Sequence, residues 1–342
     1  MMSRTNMRRV LFVALALLLS ACGTGEGSSG VGAGGTEGSG TEAAAGGSGE
    51  AGTVGLALST LQNPFFVTLR DGAVAAGEEQ GVEVLISDAQ DDAQTQANDL
   101  QNFVTQGVDA IVVNPVDSAA VVPAIEAAND ADIPVITVDR AADGGEIASH
   151  IASDNVQGGK MAAEFLFEQI GGSGSVAELQ GVAGTSAARD RGQGFQEAAD
   201  SVSGINVVAQ QAANFSRDEG FTVTQNILQG NQDLAGIFAQ NDEMALGAVE
   251  AAREAGRLGD VTIVGFDAID DALAAIDAGD MAGTIAQQPE LLGQLGIETA
   301  AAAINGDDVE AEQSVEVKLV TPDNVSEYTS GSGEDSASEA AS

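Results

Sequence analysis

Short apolar runs recur through the middle of the chain, at Val54 to Leu58, Val82 to Ser87, Ala110 to Val113 and Val135 to Val138. Between them, apolar residues return at helical spacing, and each such stretch ends near Gly, Asn or Pro. Strands of this length alternating with helices predict a parallel sheet covered on both faces. The same rhythm restarts at Ser175 to Leu179, Ile205 to Ala209, Gly236 to Ala239 and Thr262 to Phe266, which predicts a second lobe of the same kind. The two halves also echo each other. One strand ends in Asn114-Pro115-Val116-Asp117 before a helix with Ile125-Glu126-Ala127-Ala128, and another ends in Gln240-Asn241-Asp242 before one with Val249-Glu250-Ala251-Ala252. The expected fold class is α/β, with two doubly wound parallel-sheet lobes.

The ends of the chain follow other rules. Arg8 and Arg9 precede the apolar run Val10 to Leu19, which is too short for a bilayer core and suits a signal-peptide h-region. Leu19-Ser20-Ala21-Cys22 resembles a bacterial lipobox, so residues 1–22 are expected to be a lipoprotein signal with Cys22 as the lipidated anchor. Two or more acyl chains give stable membrane attachment where one is marginal. Residues 23–52 are Gly, Ser, Thr, Ala and Glu with a single Val, and residues 330–342 are another acidic, Gly/Ser-rich run. Neither can bury enough apolar surface to offset its ordering entropy, so a tether and a disordered acidic tail are expected.

Composition removes several function classes. The 342 residues carry 52 acidic and 12 basic side chains, a net charge of -40, which excludes a nucleic-acid binder that works by neutralising phosphates. One cysteine and one histidine, Cys22 and His150, exclude an intrachain disulfide and leave no cluster for a metal, so no cofactor is expected. Ser186 lacks the G-x-S-x-G elbow of a hydrolase nucleophile. His150 is expected to be a packed or hinge-side histidine and not a catalyst. The acidity itself is compatible with a high-salt or strongly hydrated wall environment, where self-repulsion is screened.

In open parallel sheets, ligands sit beyond the carboxyl ends of the strands. The residues there include Asn63, Phe65 and Phe66 after the first strand, Asn114 after the third, and Asp139 and Arg140 after the fourth. The second half contributes Arg189, Phe215, Asn241, Asp267 and Gln287. Carboxylates accept from hydroxyls, guanidinium donates in a fixed fork, amides do both, and Phe rings cover C–H faces. That mixture fits a neutral polyhydroxylated ligand better than an anion. Consecutive Phe65 and Phe66 cannot share one side of a strand or helix, which points to a turn displaying both. Asp139 and Arg140 could instead form a surface ion pair, and Asn114, Asn241 and Asp267 could be helix N-caps. Asp139 and Asp267 could also be proposed as the acid/base pair of a carbohydrate-active enzyme.

Several long segments match one family: STLQNPFFVTLRDGA from Ser59, NPVDS from Asn114, IPVITVDR from Ile133, SHIASDNVQGGK from Ser149, ELQGVAGTSAARDRGQGF from Glu178, FAQNDEMALGA from Phe238, then VGFD and TIAQ. The chain from about Thr53 to Asp323 resembles the type I periplasmic sugar-binding proteins of bacterial ABC importers. The resemblance implies a non-enzymatic solute-binding protein whose lobes, joined by a three-crossing hinge, close over one aldopentose, D-ribose, with allose or autoinducer-2 as the alternative. It implies hydrogen bonds to the sugar from Asn63, Asp139, Arg140, Arg189, Asn241, Asp267 and Gln287. Phe65, Phe66 and Phe215 would sandwich the ring, and Asn114 would lie at the cleft. It places lobe one at residues 53–153 plus 288–316 and lobe two at 154–287 plus 317–329. A membrane permease is the implied partner, and the binding protein is expected to be a monomer. The same lobes occur in LacI-type repressors, but here the lipobox and tether stand where a helix-turn-helix would be.

Overall fold

The computed structural model describes residues 52–329. The stretches expected to be a signal segment with Cys22, a tether (up to residue 51) and an acidic tail lie outside the described residues. The chain begins with β1 (Thr53–Leu58), α1 (Pro64–Gln80), β2 (Glu83–Asp88), α2 (Ala93–Gln106), β3 (Ala110–Val113), α3 (Val122–Asn129), β4 (Val135–Val138) and β5 (Ser149–Ser153). It crosses into a second lobe with α4 (Asn155–Gln169), β6 (Gly174–Gln180), α5 (Ser186–Ser201), β7 (Ile205–Ala212), α6 (Arg217–Gly230), β8 (Leu234–Ala239), α7 (Asp242–Glu254), β9 (Thr262–Asp267), α8 (Asp270–Asp277) and β10 (Gly283–Ala286). It returns to the first lobe as α9 (Pro289–Asn305) and β11 (Glu312–Val315), and crosses again to β12 (Lys318–Val320) and α10 (Val325–Thr329).

Two six-stranded sheets result, ordered β11-β5-β4-β3-β1-β2 and β12-β10-β9-β8-β6-β7. All described pairings are parallel except β10 with β12. Central strands β3, β4 and β10 are buried at every position because helices cover both faces. The chain passes between lobes three times, after β5, after β10 and after β11.

Three pairs of helices pack through reciprocal glycines. A Cβ on Gly72 of α1 would strike the Glu290 carbonyl of α9, and one on Gly293 of α9 would strike the Leu69 carbonyl. Gly159 of α4 and Gly194 of α5 stand in the same relation to Arg191 O and Val156 O, and Gly220 and Gly247 do so for α6 and α7. Backbone therefore touches backbone at each crossing, and the repetition of the device in both lobes is the packing counterpart of the sequence echo.

Direct hydrogen bonds also join the lobes across the cleft. Ser118 N donates to Gly184 O at 2.9 Å, and Ala141 N donates to Ser186 Oγ at 2.8 Å. The Asp143–Arg189 ion pair, at 2.9 Å, closes the same edge.

Candidate functional site

The carboxyl ends of the two sheets face each other across a cavity with an empty volume of about 250 Å³. Asn63, Phe65, Phe66, Asp139 and Arg140 line it from the first lobe. Ala187, Arg191, Phe215, Asn241, Asp267 and Gln287 line it from the second, up to the crossing after β10. An adjoining wider, partly open cavity, with an empty volume of about 750 Å³ that includes open solvent, shares Asn63, Phe66, Arg140 and Phe215, and is also lined by Asp91, Arg217, Asp218 and Glu243.

Phe65 and Phe66 occupy the first turn of α1, not a separate turn, and are packed edge to face at 5.1 Å. The end of the helix, rather than its side, meets the cavity, so neighbouring positions can both reach it. Asn63 caps this helix by accepting from Phe65 N at 2.9 Å. Asp139 and Arg140 follow β4 and are only 3% and 4% exposed, so they are not a surface pair. Asp139 takes a left-handed φ of 63°. A non-glycine residue held there stores strain of the kind that collects at functional sites. The Arg140 guanidinium lies over Phe66 at 5.2 Å and over Phe215 at 5.4 Å, while its Nη1 donates to Pro115 O.

Asn114 is buried behind this wall and does not line the cavity. Its Nδ2 donates to Asp139 Oδ2 at 3.0 Å and to Val138 O at 3.1 Å, and its Oδ1 accepts from Ser59 N at 3.4 Å. It is a brace that aims Asp139.

Arg189 requires a correction. Its side chain is 46% exposed, pairs with Asp143 at the outer edge of the lobes and does not line the cavity. Arg191 takes the expected place. Its Nη1 donates to Gln240 O at 2.7 Å, its Nε donates to Asn155 Oδ1 at 2.9 Å, and its Nη1 lies 3.7 Å from Asp267 Oδ1. The reason is helical phase. The buried face of α5 runs through Ala187, Ala188, Arg191, Gly194, Phe195 and Ala198, spaced three and four apart, and Arg189 falls off it. That periodicity was present in the sequence and would have selected Arg191.

Asn241 caps α7 through Met244 N at 3.0 Å and also donates from Nδ2 to Phe215 O at 3.3 Å. Asn214 and Phe215 both take left-handed φ values, 49° and 60°, which turn the Phe215 ring over Gly181. Any Cβ at Gly181 would occupy the space of that ring. Asp267 has φ 127° and accepts from Gln287 Nε2 at 2.7 Å. Burial pushes its carboxyl well above the usual carboxylate range, with the Arg191 guanidinium opposing that rise. Both arginines are held below their ordinary range, chiefly by burial.

The stretch from residue 54 to residue 308 matches the family model described as a periplasmic binding protein domain. The chain belongs to that family. The ribose import binding protein of Bacillus subtilis strain 168 is 46% identical over 269 residues, which make up 79% of this chain and 87% of that protein. The ribose import binding protein of Haemophilus influenzae is 47% identical over 79% of this chain and 91% of its own length. A solved ABC transporter periplasmic solute binding protein from Actinobacillus succinogenes, with bound D-allose, aligns with a TM-score of 0.77 at 32% identity, over 81% of this chain and all of that one.

Within this periplasmic binding protein domain, two braces escaped sequence reasoning. Gln240 does in the second lobe what Asn114 does in the first: its Oε1 accepts from Gly181 N at 2.9 Å, and its backbone N donates to Leu179 O as Asn114 N donates to Ala57 O. Its Nε2 is held by Glu178, a wholly buried carboxylate that also accepts from Gln180 and Gln210 and whose proton affinity burial raises. The second is Asp242, taken up below. His150 stands on β5, which leads into the first crossing, with Nδ1 2.8 Å from Thr137 Oγ1. Burial lowers its pKa, which favours the neutral ring. Among the described residues no group of three or more His, Cys, Asp or Glu is placed to hold a metal, and no helix is long and apolar enough to cross a membrane.

Proposed function

We propose that the chain captures D-ribose between its two lobes outside the cytoplasm and delivers it to an ABC importer. One observation carries this reading. Three buried polar atoms of residues on the cavity wall have no hydrogen-bond partner: Asp139 Oδ1, Gln287 Oε1 and Arg140 Nε, whose nearest carboxylate oxygen, Asp139 Oδ2, is 3.7 Å away. Leaving such groups unsatisfied costs about 1–3 kcal/mol each, so the cavity is built for a molecule that donates twice and accepts at least once. A pyranose does both, and its C–H faces match Phe65, Phe66 and Phe215. Relatives named for ribose import stand at 46% and 47% identity, against 32% for the allose-bound structure, which supports ribose ahead of allose.

The sugar's partners lie on both lobes, so it favours the closed arrangement by differential affinity. The closed lobes then present a joint surface to the importer's permease. Asp139 and Asp267 serve as hydrogen-bond acceptors in this reading and not as an acid/base pair.

Calorimetric titration of the purified protein with D-ribose, D-allose, D-galactose, L-arabinose and autoinducer-2 tests the ligand. Ribose is expected to bind tightest and to be recovered unchanged, because a site shaped for particular hydroxyls rejects analogues lacking them by large factors. A stronger response to another sugar would retire ribose and leave the cleft. The lipobox motif supports Cys22 as a lipid anchor on the outer face of the membrane. Expression in a bacterium fed labelled fatty acid is expected to label the native chain and not Cys22→Ser, and equal labelling of both would remove the anchor.

A further inference from the structure

The carboxylate of Asp242 is completely buried and lines neither cavity. It has no ion-pair partner among the described residues. An unpaired buried charge is costly unless hydrogen bonds meet it, and here donors converge on it from two other elements. Oδ2 accepts from Ile269 N at 3.0 Å and Oδ1 from Thr284 Oγ1 at 2.7 Å. Gly265 is glycine at a place where its Cβ would collide with Oδ1. Burial still pushes the Asp242 carboxyl up to about 6, with these hydrogen bonds opposing the rise.

What this arrangement holds is the cavity wall. The segment gripped by Asp242 starts at the last residue of β9 and contains Asp267 at φ 127° and Ala268 at φ 62°, two consecutive non-glycine residues in left-handed conformations. Such residues persist only where their surroundings over-determine them. Thr284, the other donor, stands on β10 three residues before Gln287, and Asp242 itself directly follows Asn241. One carboxylate therefore ties together the three strand exits that carry Asn241, Asp267 and Gln287.

We infer that Asp242 is a positioning residue for the sugar site, holding the strained Asp267–Ile269 turn so that Asp267 meets the ligand. This deepens, and rests on, the sugar-binding reading above. Asparagine cannot replace it. The amide keeps one acceptor but points two N–H bonds into a space already filled by donors.

Two measurements on full-length Asp242→Asn test the inference, with Thr284→Val as a milder variant that removes one donor and keeps the buried volume. The first is hydrogen–deuterium exchange in the absence of sugar. Peptides covering residues 266–269 are expected to exchange at least about tenfold faster in Asp242→Asn while β1 to β5 keep wild-type rates, because loss of one restraint releases a local opening. Unchanged exchange in 266–269 would overturn the inference whatever the ligand proves to be. A rise spread evenly over both lobes would also overturn it, since that marks a merely structural residue. The second is calorimetry with D-ribose. Affinity is expected to fall at least about tenfold in Asp242→Asn and about threefold in Thr284→Val. Wild-type binding with undiminished affinity in both variants would sink the positioning role. Absence of wild-type binding would instead count against ribose and leave the exchange result to decide Asp242.

Discussion

Arg191→Ala is expected to weaken ribose binding by roughly 2–5 kcal/mol, the range for truncating one partner of a buried charged pair. At about 1.4 kcal/mol per tenfold this is a loss of more than tenfold. Asp267 loses its nearest cation, at 3.7 Å, Gln240 O loses its 2.7 Å donor, and the ring of Phe266 loses the guanidinium 3.8 Å above it. Arg189→Ala, two residues away, is expected to change affinity by less than about fivefold, because an exposed ion pair such as Arg189–Asp143 contributes about 0–1 kcal/mol. Calorimetric titration of the two variants side by side decides the assignment. If Arg189→Ala proved the more damaging, the cavity described here would not be the binding site.

Gly194→Ala is expected to destabilise the protein by about 1–3 kcal/mol, the cost of forcing extra volume into a packed interior. The new methyl would strike the Val156 carbonyl and the Lys160 amide of α4, which are backbone atoms and cannot swing aside as a side chain does. Gly230→Ala supplies the opposite sign. Gly230 ends α6 with nothing within 4 Å of its would-be Cβ, so alanine there is expected to stabilise by about 0.4–1 kcal/mol through the unfolded state. Chemical denaturation of both variants measures the difference. A Gly194→Ala midpoint equal to wild type would mean that α4 and α5 can part without cost. Arg191 rides on α5 one turn before Gly194, so the destabilised variant should also bind sugar less well.

Much of the fold was legible because a doubly covered parallel strand must be apolar on both faces. Ala110 to Val113 is a continuous apolar run and Val135 to Val138 is apolar but for the β-branched Thr137, and their bounds coincide with β3 and β4. Polar strands gave no such signal. β11 is the segment EQSV and β5 is SHIAS, and each is a strand only because a neighbour supplies its hydrogen bonds. The same division runs through the site. Nine of its lining residues could be named from strand exits, since ligands gather where parallel strands end. Asn114 was named too, but only packing shows that it faces Asp139 rather than the cavity.

The chain by itself determined the α/β rhythm, the two lobes and the chemistry of the wall, because periodicity and residue type are local properties. The tertiary structure decided which residues face the cavity. The phase of α5 substitutes Arg191 for Arg189, and the end of α1 admits both Phe65 and Phe66. It also decided the left-handed turns at Asp139, Phe215 and Asp267, which no glycine announces. Those conformations are strained in isolation and exist only where groups distant in sequence, such as Asn114 and Asp242, hold them in place.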